Sequence, residues 1–138
     1  MKTHTTNYHN TLIEIAEDAN TQKGEMPPVK ADKKTVAHLQ FMRLYENPYK
    51  YDSDEVLFDV YAERKAFEES EMAEQRVEYF STGQPCFHTS PLTKRYGWGV
   101  HSNADGKIAI HGLESDEYKR LVNDPSVKKV KAMRSKRK

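Results

Sequence analysis

The chain has 138 residues, 36% apolar and 31% charged, with one cysteine and a formal net charge of +1. That length builds one packed core rather than two, and a lone cysteine excludes both an intramolecular disulfide and a thiolate metal cluster. No apolar run is long enough to span a bilayer, and MKTHTTNYHNT lacks the apolar stretch of an export signal, so a cytoplasmic protein without membrane contact is expected.

In chain order, TLIEIA is a short β-branched and apolar run that predicts a strand over residues 11–16. Residues 17–34 contain Gly24 and Pro27-Pro28 without periodicity and predict a surface connection. Thr35 is suited to cap a helix over 35–46, apolar at Val36, Leu39, Phe41, Met42, Leu44 and Tyr45 and ended by Asn47-Pro48. Ser53, followed by Asp54 and Glu55, opens a helix over 53–66, with its acids at the positive end of the helix dipole. A third helix is predicted over 70–81, with Met72, Ala73, Val77 and Phe80 inward and Gly83 closing it in the left-handed conformation. The acidic groups at 52–55 and 68–71 both fall at helix starts, where capping accounts for them.

Beyond Pro85 the period changes to alternation, predicting strands over 86–90, 96–102, 107–112 and 127–132, and a helix over 115–124 begun by Ser115 and stopped by Pro125. The expected class is therefore α+β: helices on a small, mainly antiparallel sheet, in one domain over 1–133 with a basic tail over 134–138. A four-residue loop, Asn103 to Gly106, sets the hairpin register: Val100 opposes Ala109, Trp98 opposes His111, and Tyr96 opposes Leu113. Gly97, Gly99, His101, Ile108, Ile110 and Gly112 then share the other face.

Two uses of that hairpin follow. Packing places a helix over the glycines and isoleucines. Binding makes Tyr96, Trp98 and His111, beside Lys94 and Arg95, an aromatic and cationic wall for a planar or anionic small ligand. The same register sends His101 and His111 to opposite faces, His38 has no partner at i+4, and His4 and His9 fall in a mobile end, so no metal is expected. Cys86 and His88, two apart on a strand, share a face and are the candidates for nucleophilic chemistry, although a lone cysteine is more often a small buried hydrophobe. There is no phosphate loop, dinucleotide fingerprint, zincin motif or nucleophile elbow, and no cofactor is expected.

Lys128, Lys129, Lys131, Arg134, Lys136, Arg137 and Lys138 put seven positive charges in the last eleven residues, and without them the formal charge of +1 becomes −6. Nucleic acid or another polyanion would meet the chain mainly through this end; a lysine-protected strand edge explains the same composition.

HTTNYHNT, PPVKADKKTVA, ENPYKYDSDEVLFDVYAER, GQPCFHTSPLTKRYGWGVH and NDPSVKKVKAMRSK together resemble a family of small bacterial proteins classed as a domain of unknown function. That resemblance spans nearly the whole chain and implies a bacterial cytosolic single-domain protein without assigning any catalytic residue. From Tyr96 to Lys138, DGKIAIHG, the helix after Ser115 and NDPSV are similar in pattern to YjbR-like domains, which are described as DNA-binding-like.

Overall fold

The computed structural model describes residues 3–30 and 33–134. Its centre is β1 (Thr11–Glu14), paired antiparallel with β4 (Trp98–Ser102) and parallel with β6 (Lys128–Lys131); β4 pairs in turn with β5 (Ile108–Gly112), so the sheet order is β5-β4-β1-β6. Two very short strands, β2 (Val29–Lys30) and β3 (Lys33–Lys34), form a separate ladder inside the predicted surface connection.

A central strand covered on both faces buries successive side chains, and in β1 Thr11, Leu12 and Ile13 are all buried. Ile13 faces one way and packs with Val100, Ile108, Ile110 and Trp98 against α1 (Val36–Tyr45) and α2 (Ser53–Lys65). Leu12 and Ile15 face the other way, under Tyr118 and Leu121 of α5 (Asp116–Val122). The result is an α+β fold with helices on both faces of a mixed sheet. Among the described residues no helix is long and apolar enough to cross a membrane.

Local chemistry explains the helix ends. Thr35 caps α1 by accepting the His38 amide. Asp52 and Glu55 form a reciprocal capping box at the start of α2, one residue ahead of the expected cap, and Glu68 and Glu71 form another before α3 (Met72–Tyr79). Ser115 caps α5.

Four expectations change. Helix 70–81 becomes a 3-10 turn over Glu69–Glu71 followed by α3, and Val77 is 61% exposed. Its packed side is Met72, Tyr79 and Phe80 against Phe58 and Ala62, with the Arg76 guanidinium over the Phe58 and Phe80 rings. The helix ends at Phe80 without a left-handed glycine, because Gly83 keeps a negative or extended φ. Strand 86–90 is absent: Thr89 and Ser90 donate their amides to the carbonyls of Cys86 and Phe87, making a 3-10 turn, and Ser90 then caps α4 (Pro91–Lys94) with Pro91 at its first position.

The hairpin register also moves by one residue. Asn103 Oδ1 accepts the amides of Asp105 and Lys107, Asn103 N–H donates to the Lys107 carbonyl at 2.9 Å, and Gly106 takes φ +81°. This is a three-residue loop with a left-handed glycine, so Val100 opposes Ile110 and Trp98 opposes Gly112. Lastly, the N-terminal segment is tied down. Asp54 accepts from the Thr6 amide and from the Thr5 and Thr6 hydroxyls at 2.6–2.7 Å, and His4 N–H donates to the Phe80 carbonyl.

Candidate functional site

The Cys86–Thr89 turn forms one wall of a cleft of about 470 Å³ between α1, α2 and α3. Three attachments hold that wall. Ser90 Oγ donates to Gln40 Oε1 on α1 at 2.9 Å, Thr93 Oγ1 donates to the Phe87 carbonyl at 2.6 Å, and Met133 N–H donates to the His88 carbonyl. Val36, Leu57 and Val60 give the cleft an apolar floor, and Tyr61 and Tyr79, with ring centroids 4.6 Å apart, give it an aromatic side. Arg64 and Lys65, on the last turn of α2, lie at its rim, with the Lys65 ammonium 5.8 Å from the centre of the Tyr61 ring. The volume falls in the range of small-molecule sites, roughly 300–1,000 Å³.

Cys86 is half-buried in this wall, and its Sγ lies 2.6 Å from His88 Nδ1. The two side chains meet although the segment is a turn and not a strand. Tyr8 Oη lies 3.6 Å from the same sulfur. Its phenol is pushed up to about 12, first by the hydrogen bond with Cys86 and then by burial, so it presents an intact O–H.

The hairpin candidates separate. The Trp98 indole is buried, tilted against Phe41, edge-on to Tyr45 and close to Gly24, with Nε1–H donating to the Glu25 carbonyl at 2.8 Å. Tyr96 is half-buried against the same core, while Lys94 and Arg95 stand at the end of α4, Arg95 exposed. His111 lies on the opposite face of the sheet from Trp98, since it pairs with Gly99.

The corrected register brings His101 and His111 onto one face, diagonal to each other, with ring centroids 6.5 Å apart. Tyr49, from the loop between α1 and α2, reaches across them: its Oη is 2.7 Å from His101 Nδ1 and 3.0 Å from His111 Nε2. Burial pushes the Tyr49 phenol up to about 12 and holds both imidazoles below their ordinary value. Among the described residues no third His, Cys, Asp or Glu joins this pair to complete a metal-binding group. The sequence carries no sign of this cluster, because a four-residue loop puts the two histidines on opposite faces and Tyr49 is 52 residues from His101.

At the basic end, Lys128 and Lys131 are exposed on the edge strand β6. Lys129 Nζ is engaged by the Asp124 and Val127 carbonyls, and Arg134 lies 3.9 Å from Glu17. Lys136, Arg137 and Lys138 lie outside the described residues.

No curated protein and no solved structure matches the chain. A family model does, over residues 3–138, and the chain belongs to that family of unknown function, DUF6157.

Proposed function

We propose that the chain is a binding module for a small ligand with a planar apolar body and an anionic group, and that the ligand occupies the cleft between α1, α2 and the Cys86–Thr89 turn. The supporting observation is the combination of an apolar floor, the Tyr61 and Tyr79 rings, and the Arg64 and Lys65 cations around one opening of about 470 Å³. Apolar walls supply affinity for a flat body, and a cation at the rim orients its acid. This moves the ligand from the KRYGWG hairpin to a site where the aromatic rings line open space.

The fluorescent probe 1-anilinonaphthalene-8-sulfonate has this chemistry. It is expected to bind the folded protein at one site and to slow alkylation of Cys86 by iodoacetamide. Arg64→Glu and Lys65→Glu should each weaken it by about tenfold, the equivalent of about 1.4 kcal/mol. Binding that leaves Cys86 alkylation unchanged and ignores both substitutions removes the cleft from consideration.

The 2.6 Å approach of Cys86 Sγ to His88 Nδ1 supports a second role, in which the thiol gives its proton to His88 Nδ1 and the sulfur adds to an electrophilic double bond of a ligand held in the same cleft, that proton then passing to the adduct. On this view His88→Ala slows alkylation of Cys86 in the unliganded protein, and an unchanged rate leaves the thiol a packing group.

A further inference from the structure

We propose that the His101–Tyr49–His111 bridge is a proton-operated latch, which holds the α1–α2 loop on the sheet until both imidazoles are protonated and then releases it. The reasoning begins with a count of protons. A phenol donates one hydrogen bond and accepts others, while a neutral imidazole has one donor and one acceptor nitrogen. With both rings neutral, one donates to Tyr49 Oη and the other accepts the phenol proton, which satisfies both distances, 2.7 and 3.0 Å.

A first added proton goes to the outward nitrogen of the donating ring and leaves the bridge whole. A second must go to the accepting nitrogen. It converts that acceptor into a donor, so the phenol O–H loses its partner, and it sets two cations with ring centroids 6.5 Å apart.

The neighbouring charges do not cancel this. Glu117 on α5 favours protonation of both rings but is held in an ion pair by Arg120, which opposes it, and Asp124 acts on His101 in the same sense as Glu117. From the loop side the facing group is the neutral Tyr49, and Lys50 is drawn over the Tyr51 ring. Both histidines lie below their ordinary value, chiefly through burial, so the native state prefers them neutral. Their stabilising contribution is present above the ordinary histidine pKa of 6.5 and is lost as pH falls through the lowered native values.

The loop has reason to move once freed. Tyr49 sits at φ 58°, a conformation that a bulky side chain keeps only while its contacts enforce it. Its amide donates to the Ile108 carbonyl at 2.9 Å, and the Ile108 amide donates to Tyr51 at 2.8 Å, so these two amides report loop attachment directly. Because the loop joins α1 to α2, and both line the cleft, its release loosens the site of the proposed ligand; only this consequence rests on the cleft assignment.

Amide exchange followed from about pH 7.5 to about pH 5, corrected for intrinsic rate, tests the latch. In wild type, protection of the Tyr49 and Ile108 amides should fall about tenfold while the Leu12 amide holds, and the affinity for anilinonaphthalene sulfonate should fall in parallel. In H101N/H111N both should be flat across this range. Should that variant not fold, Tyr49→Phe serves instead, with protection of the Ile108 amide already low at the higher pH. Constant protection in wild type, or an equal fall in the double variant, overturns the latch even if the probe binds. Loop release without probe binding at any pH supports the latch and removes the cleft assignment.

Discussion

The two faces of the central sheet are built on different principles. Toward α1 and α2, Ile13, Val100, Ile108 and Ile110 meet Leu39, Phe41, Leu44 and Val56, with no ionisable group among them. Toward α5, Leu12 and Ile15 are covered by Tyr118 and Leu121, but the strands next to them present His101 and His111 under Tyr49. Apolar burial is insensitive to protons and proportional to area, whereas a half-buried hydrogen-bond bridge depends on the protonation of each member. Both faces thus contribute apolar burial, and the proposed latch would add a pH dependence only on the side of His101 and His111.

Three substitutions sharpen the contrast, and equilibrium denaturation measures each. Ile13→Ala, on a side chain 2% exposed at the centre of the inner face, should cost about 2–5 kcal/mol at every pH from mildly acid to mildly alkaline. A cost that changes with pH would show that the two faces are coupled. Gly99→Ala should cost about 1–3 kcal/mol, because the added Cβ meets the Tyr118 ring on the outer face. A neutral result would mean that α5 shifts freely over β4. Asp52→Ala removes the capping box that starts α2 and should cost about 1 kcal/mol, while leaving the histidine titrations unchanged.

What was legible in the sequence divides along the same line. Helix α2 was readable because Asp52-Ser-Asp-Glu55 supplies its cap and first-turn acids within four consecutive residues. The hairpin's position was readable from Asn103 and Gly106, but its register was not. It depends on whether Lys107 belongs to the strand or the turn, and the Asn103 side chain decides that by accepting the Lys107 amide. One residue of slip moves every side chain of one strand to the other face relative to its partner strand, which is why a four-residue loop separates His101 from His111 and the three-residue loop unites them.

The 86–90 segment misled for a different reason. Cys86-Phe-His alternates as a strand would, and its turn is enforced by Ser90 and Thr93, whose hydrogen bonds compete with extended structure. The meeting of Cys86 and His88 did not depend on that difference. The cleft that Cys86 lines was not readable, since its cations and rings come from α2 and α3, well before Pro85.

The parallel pairing of β1 with β6 bears on how the chain is made. β1 lies between β4 and β6, so neither of its ladders can form until residue 98 has been synthesised, and the second needs residue 131. Helices α1 and α2 are complete far earlier, yet the apolar side they share has no sheet to cover it until then. During translation that surface stays open until β4 and β6 have been made, and forming the sheet closes long loops. A ribosome stalled before residue 98 should display a protease-sensitive nascent chain, and the sheet should become resistant only after β6 has cleared the exit tunnel.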